Sequence, residues 1–185
     1  MPPLPLSAPE VEALSGLLEN PPAGEEEMLL TLLSERIPPG VDEAAYVKAS
    51  WLSAVARGEA SSPLVSAVAA TELLGTMIGG YNVSALIDLL SSSDETVADT
   101  AGRGLSRTLL VYDAFNDILE LAASNPRARR VVDSWAEAEW FSEKPPLADA
   151  ITVTVFKVEG ETNTDDLSPA THATCLLYTS DAADE

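Results

Sequence analysis

The sequence predicts an all-α fold that is followed, near the end of the chain, by a single β-strand. Apolar residues make up 46% of the chain but aromatic residues only 5%, so the core is built mainly from Leu, Val and Ala, which favours packed helices over a β-sandwich. Up to about residue 145 the apolar residues recur at helical spacing between Pro and Gly breaks. From Ile151 onward they recur at every second residue instead.

The first helix is predicted from the chemistry of its two ends. Ser7 is a suitable N-cap, and Glu10, three residues later, completes a capping box. The helix is expected to stop near Asn20, because Pro21 and the proline after it cannot continue it. Its apolar stripe is predicted to consist of Leu14, Leu17 and Leu18.

Three further helices are predicted before residue 80. The second extends from Gly24 to Arg36, with a glutamate triplet, Glu25 to Glu27, at its positive N-terminal end. The third is capped by Asp42 and reaches Arg57, and the fourth follows Ser62-Pro63, reaches about Met77 and ends at Gly79-Gly80. The stripe of the third helix is predicted to be Val47, Trp51, Ala54 and Val55.

Polar caps also predict the remaining helices. Asn82 and Asp94 are expected to cap two helices, the second of which continues to about Ala123 with a break at Gly102 or Gly104. Asn125 followed by proline begins the last helix, which ends near Phe141. The inward-facing residues are predicted to be Val83, Leu86, Ile87, Leu90, Leu105, Leu109, Tyr112, Leu119, Val131, Trp135 and Ala138.

Alternate predicted helices begin near residues 8, 42, 82 and 125. Helix pairs at roughly 40-residue spacing are typical of a HEAT-like α-solenoid. An irregular helical bundle is the alternative. Either architecture makes residues 8–148 one helical domain, preceded by a proline-rich and disordered N-terminus, residues 1–7.

The predicted strand begins another domain. Ile151, Val153 and Val155 face one side of the strand and alternate residues face the other, until Gly160 ends it. A lone strand leaves its backbone donors and acceptors unpaired. We therefore expect its partner strands to lie further along a longer polypeptide, so that residues 149–174 are the start of a truncated domain.

A polar run after the strand, Glu161 to Asp166 followed by Leu167-Ser168-Pro169, is the candidate site segment. Carboxylates and hydroxyls in this arrangement bind a cation, orient a catalytic group or cap a turn, and the structural role is preferred. Two other candidates are set aside. Arg127, Arg129 and Arg130 are interpreted as solvated charges that offset carboxylates rather than as an anion site, and His172, the single histidine, has no expected catalytic role.

Composition excludes several classes of function. The net charge of −20 repels phosphate backbones, so nucleic acid is a poor default partner. No apolar run approaches the ~18–20 residues that span a bilayer, and the N-terminus lacks the pattern of a targeting peptide. We therefore expect a cytoplasmic protein. The single cysteine, Cys175, excludes an internal disulfide.

Several unusual strings resemble the N-terminal part of bacterial aconitate hydratase B. They are Asn20 to Glu27, Pro38 to Lys48, Glu72 to Met77 with Gly79 to Asn82, Ser134 to Phe141, and Thr152 to Ala170. In that family a HEAT-like domain precedes a swivelling β/α domain, which agrees with the change of pattern at Ile151. The resemblance extends from about Leu14 to Thr174.

The resemblance implies a hydro-lyase that interconverts citrate and isocitrate through cis-aconitate in the tricarboxylic acid cycle. The family's [4Fe-4S] cluster needs cysteine ligands that lie far downstream, so this fragment is expected to bind no cluster and to be inactive alone. No catalytic or metal residue carries over, and Thr164, Asp165, Asp166 and Ser168 are only candidates near the substrate site. The alternative is a helical protein–protein interaction module without catalysis.

The resemblance also implies protein contacts through the helical domain, including a homodimer, and RNA binding, against which the charge of this domain argues. Beyond Thr174 the sequence departs from the family. Residues Cys175 to Glu185 resemble the conceptual translation of a sequencing adapter joined to a truncated gene, and the prediction is that they are not biological.

Overall fold

The computed structural model describes residues 6–35, 42–77, 80–108, 112–142 and 150. These residues form α-helices and connecting turns and contain no strand, which confirms the predicted all-α fold for this part of the chain. The chain divides into two compact units, Met1–Ser142 and Glu143–Glu185. The expected strand, Ile151 to Val158, lies outside the described residues, and the predicted domain boundaries stay predictions.

Nine helices occupy the described ranges of the first unit. They are α1 (Ala8–Glu19), α2 (Glu26–Ser34), α3 (Asp42–Arg57), α4 (Ala67–Gly75), α5 (Val83–Leu89), α6 (Glu95–Ser106), α7 (Tyr112–Leu121), α8 (Pro126–Ala136) and α9 (Glu139–Ser142).

The ends of α1 follow the predicted chemistry. Ser7 is the N-cap, and the Glu10 carboxylate accepts hydrogen bonds from the Ser7 N–H at 2.7 Å and from its hydroxyl at 2.6 Å. Hydrogen bonds from the Ser7 hydroxyl and backbone hold the pKa of Glu10 below its usual value. Asn20 is the C-cap, as predicted. Leu17, however, is 41% exposed, and Val11 is the additional buried residue of the stripe.

The second helix is shorter than predicted. Gly24 has a φ of +88°, in the left-handed region, so it cannot open the helix, which starts at Glu26 and ends at Ser34. Backbone N–H groups of Glu26 and Gly24 lower the pKa of the Glu26 carboxyl. This supports the interpretation of the glutamates as charges at a helix N-terminus.

The start of α4 is displaced from the prediction because its true cap is Ser66, whose hydroxyl accepts a hydrogen bond from the Ala69 N–H. Ser62 has a different role, since its hydroxyl donates to the carbonyl of Leu18 at the end of α1. Leu64 lies in the connecting segment and is half-buried. The predicted end near Met77 is close to the observed C-cap, Thr76.

Asn82 does precede α5, but its side chain makes no capping bond to that helix. The buried amide Nδ2 donates instead to the carbonyls of Leu74 and Met77, at the end of α4. Its Oδ1 has no hydrogen-bond partner among the described residues. Asn82 therefore fastens the end of one helix to the start of the next.

The predicted long helix is in fact two helices. Asp94 caps α6 by accepting from the N–H groups of Thr96 and Val97, as expected, but neither Gly102 nor Gly104 breaks it, and both lie within α6. The interruption comes after Ser106. In α7 Ala114 and Ile118 are buried, whereas Leu119 is 43% exposed, so the prediction that Leu119 faces inward was wrong.

Asn125 caps α8 by accepting from the N–H groups of Arg127 and Ala128. Val131 is buried, and the half-buried Trp135 donates its indole N–H to the carbonyl of Leu105 at 3.0 Å. Ala138 does not belong to the stripe. It is exposed, with a φ of +52°, and it separates α8 from α9.

The helices share one apolar core, to which α1 through α8 all contribute in the described residues. Helix α1 packs against α2 and α3, α3 against α4 and α5, α4 against α5 and α6, α5 against α6 and α7, and α8 against α6, α7 and α9. The fully buried leucine and isoleucine side chains are Leu18, Leu29, Leu52, Leu74, Leu86, Leu90, Leu105 and Ile118. Each such burial contributes about 1.5–3 kcal/mol.

Candidate functional site

The site residues expected from the sequence, Thr164, Asp165, Asp166 and Ser168, lie outside the described residues, so their role stays a prediction. Within the described part, two grooves combine charged side chains with a recess. Neither was expected from the sequence.

The first groove lies between α4 and α6 and has a volume of about 230 Å³. Its walls include Thr71, Glu72 and Thr76 from the α4 side and Thr100, Arg103 and Arg107 from the α6 side. Because Arg103 and Arg107 are four residues apart along α6 and its C-cap, their side chains lie on the same face of the helix.

Two glycines form the floor of this α4–α6 groove. A Cβ atom added to Gly75 would lie 3.1 Å from the Cα of Gly104, and the reverse substitution gives the same distance. Side chains are therefore absent where the two helices touch. The backbones approach closely, and the recess above them stays open.

The hydroxyl groups of the three groove threonines already take part in hydrogen bonds within the fold. Thr71 donates to the carbonyl of Ala67 and Thr76 to that of Leu73, each at 2.8 Å. Thr100, which is buried, accepts a 2.8 Å bond from the guanidinium of Arg103. The N–H donors available to a ligand in this groove are therefore mainly those of the arginines.

These two arginines differ from Arg57, Arg127 and Arg130, although not from Arg129, in the described ranges. Arg57 pairs with Asp88 at 2.8 Å, Arg127 pairs with Asp99, and Arg130 holds Glu139 through bonds of 2.7 and 2.9 Å. Within the same ranges Arg103 and Arg107 make no ion pair. The four-residue spacing of the two groove arginines is visible in the sequence, and it could have indicated that they share one face of a helix.

These pairs confirm the interpretation as charges that offset carboxylates for Arg127 and Arg130, whereas Arg129 makes no ion pair among the described residues. The hydrogen bond that Arg127 donates to the Asp99 carboxylate raises the pKa of Arg127, and the nearby charges of Asp99 and Glu95 act in the same direction. Arg127 and Arg130 therefore do not form an anion site at the start of α8.

The second groove, of about 450 Å³, lies beside the Arg57–Asp88 pair and is lined in addition by Ser91, Ser92, Ser93 and Asp94. Asp94 is already engaged as the cap of α6. Arg57 is already neutralised by Asp88. The charged side chains of this groove are therefore already engaged within the fold.

One buried cation lies away from both grooves. The ammonium of Lys48, on α3, donates a 2.8 Å hydrogen bond to the carbonyl of Glu35, the C-cap of α2. Burial lowers the pKa of Lys48, and the charge of Glu35 partly offsets this effect. The contact joins α2 to α3 and is structural.

Among the described residues no group of three or more His, Cys, Asp or Glu side chains is placed to hold a metal ion. In the same part of the chain no helix combines the length and apolar character that crossing a bilayer requires.

Comparison with known proteins gives matches over most of the chain. The model of the family described as the aconitate B N-terminal domain matches residues 1–141. The model described as the aconitate hydratase 2 N-terminus matches residues 153–178. The second range takes in all four site candidates and enters segment 175–185, whose suggested adapter origin stays a prediction.

Curated relatives give the same assignment. The chain is 60% identical over 174 residues to aconitate hydratase B of Synechocystis, and 60% identical over 172 residues to that of Escherichia coli. It is 47% identical over 173 residues to the Helicobacter pylori protein. These alignments cover 92–94% of the chain but 20% of each relative. The resemblance seen in the sequence is thus confirmed, and the chain belongs to the aconitate B N-terminal domain family.

Proposed function

We propose that this chain is the N-terminal helical part of an aconitate hydratase, a hydro-lyase that interconverts citrate and isocitrate through cis-aconitate in the tricarboxylic acid cycle. The observation that carries the proposal is the family match over residues 1–141, together with 47–60% identity to curated aconitate hydratases B. Because the chain spans 20% of the length of those relatives, the activity is assigned to a longer protein.

The helical unit is proposed to be a HEAT-like solenoid that supports the catalytic domains. In a solenoid each helix pair stacks on the next, so that first helices contact first helices and second helices contact second helices. The contacts α1–α3, α3–α5 and α5–α7, and the contacts α4–α6 and α6–α8, follow this rule, whereas α2 and α4 make no comparable contact in the described residues. They favour the solenoid over the irregular bundle.

Residues 149–174 are proposed to begin the swivelling β/α domain of the family. The match of residues 153–178 to the aconitate hydratase 2 N-terminus supports this assignment. Thr164, Asp165, Asp166 and Ser168 then belong to a turn near the substrate site, where they shape it rather than carry out catalysis.

The [4Fe-4S] cluster of the family does not fit the residues of this chain. Cluster irons are held by several cysteine thiolates, and the chain has one cysteine, Cys175. In the longer protein the cluster would supply a Lewis acid for the substrate oxygens.

A second role, protein–protein association, is favoured by the exposed apolar side chains of the first three helices. Tyr46 is 66% exposed, Met28 52% and Leu17 41%. Such residues on a helical repeat are suited to contact with another protein or a second copy of the chain. A homodimer in the cytoplasm is the assembly that we propose.

The lyase proposal is tested on the complete open reading frame that encodes this segment. The purified product is reconstituted with iron and sulfide, and cis-aconitate is followed by its absorbance with citrate or isocitrate as substrate. Turnover supports the proposal. A folded product that holds its cluster and turns over neither acid would overturn it.

The association proposal is tested with the double variant Met28→Ser/Tyr46→Ser of the same protein, by light scattering after size exclusion. Leu119→Ser, which removes a 43% exposed leucine from α7, is the matched control. We expect the double variant alone to lower the mass of the assembly. An unchanged mass, or a monomeric parent, would contradict this role.

A further inference from the structure

The groove between α4 and α6 has features of a binding site for a small anion. It is a recess of about 230 Å³ lined by two arginines, in a chain whose net charge is −20. Pockets for drug-sized molecules usually measure about 300–1,000 Å³. The size of this groove therefore suits a compact ligand better than a peptide strand.

The two guanidinium groups decide the chemistry of that ligand. Arginine offers a planar fork of N–H donors that matches a carboxylate in two parallel hydrogen bonds. Arg103 is steadied by its bond to Thr100, and Arg107 is exposed at the C-cap of α6. Residues four apart on a helix have Cβ atoms about 5–6 Å apart, a separation that a short carbon chain with two or three carboxylates can span.

Glu72 on the opposite wall adds a condition. It lines the same groove, so its carboxylate repels any anion that fills the recess. A ligand must therefore direct its carboxylates toward α6 and keep its uncharged carbon chain toward Glu72. A linear or branched polycarboxylate meets this condition more easily than an inorganic phosphate, whose charge is concentrated on one centre.

We propose that the α4–α6 groove is a binding site for a small polycarboxylate, held by Arg103 and Arg107 above the Gly75–Gly104 contact. Because binding is measured on this chain by itself, the inference can fail while the lyase proposal holds.

The test is a calorimetric titration of the 185-residue chain with propane-1,2,3-tricarboxylate at low ionic strength. We expect a dissociation constant on the order of 1 mM, the affinity of a small exposed site with two charged contacts. Binding should weaken as salt is added, because both arginines are at least partly exposed to solvent.

Variants locate the site. Arg107→Gln and Arg103→Gln should each weaken binding at least about tenfold, since each removes a charged hydrogen-bonding group. Arg129→Gln, which removes an exposed arginine of α8 outside the groove, is the control with the same change of net charge. Glu72→Gln should tighten binding a few-fold, because it removes the repelling carboxylate.

Competing ligands complete the experiment. Acetate, inorganic phosphate and a hexaglutamate peptide are titrated under the same conditions, and the melting curve of each variant checks that it is folded. Weaker binding of all three probes supports the proposal. Tighter binding of phosphate or of the peptide, no heat with the tricarboxylate, or equal affinities in Arg107→Gln and Arg129→Gln would each overturn it.

Discussion

Gly75 of α4 and Gly104 of α6 touch backbone to backbone. A Cβ atom added to either glycine would lie 3.1 Å from the Cα of the other, closer than side-chain carbons normally approach backbone atoms. The crossing of these two helices therefore depends on the absence of both side chains. The same contact leaves the α4–α6 groove open above it.

Substituting Gly104→Ala should destabilise the protein. The new methyl group meets the backbone of Gly75 at 3.1 Å and Leu86 at 3.4 Å, so the helices must separate, at a cost of about 1–3 kcal/mol. Alanine's better helix propensity returns up to about 1 kcal/mol of that. We expect a net loss of about 1–2 kcal/mol in the free energy of unfolding by urea.

Gly102→Ala is the matched control, because it places a methyl group in the same helix at 3.6 Å from Leu90, an ordinary van der Waals contact. This variant should be as stable as the parent or slightly more stable, by up to about 1 kcal/mol. Equal stability of the Gly104→Ala and Gly102→Ala variants would show that the α4–α6 contact is not tight.

Asn82→Asp should be strongly destabilising. The buried Asn82 amide donates to the carbonyls of Leu74 and Met77, and an ionised carboxylate cannot donate. Two backbone acceptors would then face a buried charge, so we expect a loss of about 2–4 kcal/mol in unfolding free energy. The measurement is urea denaturation at pH 7.

Asn125→Asp is the comparison for that variant. Asn125 uses its Oδ1 to cap α8 by accepting from the N–H groups of Arg127 and Ala128, and an aspartate caps a helix equally well. The variant loses the bonds that Nδ2 donates to the carbonyl of Leu90 at 3.0 Å and, at 3.4 Å, to the exposed hydroxyl of Ser91, so the expected change is within about 1 kcal/mol. A larger loss at Asn125 than at Asn82 would contradict the roles assigned to the two side chains.

Lys48 should make stability rise with pH in the alkaline range. Burial lowers its pKa in the folded protein below the ordinary 10.5, so between the two values the unfolded chain binds more protons than the folded chain. The free energy of unfolding therefore increases as pH rises through that window, and the cost of burying the charge is present below it.

Lys48→Met isolates this effect, since it keeps an unbranched side chain and removes the titrating group. The difference in unfolding free energy between wild type and Lys48→Met should shift in favour of wild type from neutral pH toward pH 10.5, the ordinary value for lysine. A difference that is constant across this range, or that shifts the other way, would contradict the assigned direction of the pKa.

The sequence predicted features that depend on a few neighbouring residues. Ser7, Asp94 and Asn125 were expected as caps, and all three occupy N-cap positions, because a polar side chain before a helical pattern acts on the next three N–H groups. The assignment failed where a side chain acts at a distance. The Ser62 hydroxyl bonds to Leu18 across the fold, and the local pattern contains no sign of that bond.

The candidate groove was missed for the same reason. Gly104 looked like a helix breaker because glycine lowers helix propensity, whereas its role is set by Gly75, which lies on another helix. Arg103 and Arg107 were not identified from the sequence, because only the folded arrangement shows that neither forms an ion pair with a carboxylate in the described ranges. The family, in contrast, was recognisable from several long strings, and the match over residues 1–141 confirms it.

The central claim, that this chain is the helical N-terminal part of an aconitate hydratase, is tested most directly by a chimera. Residues 1–174 replace the aligned part of the Escherichia coli aconitate hydratase B, to which the chain is 60% identical. We expect a folded chimera that, once its cluster is reconstituted, forms cis-aconitate from citrate within about tenfold of the parent rate, a difference of about 1.4 kcal/mol in activation free energy. A folded, cluster-loaded chimera that forms no cis-aconitate would contradict it.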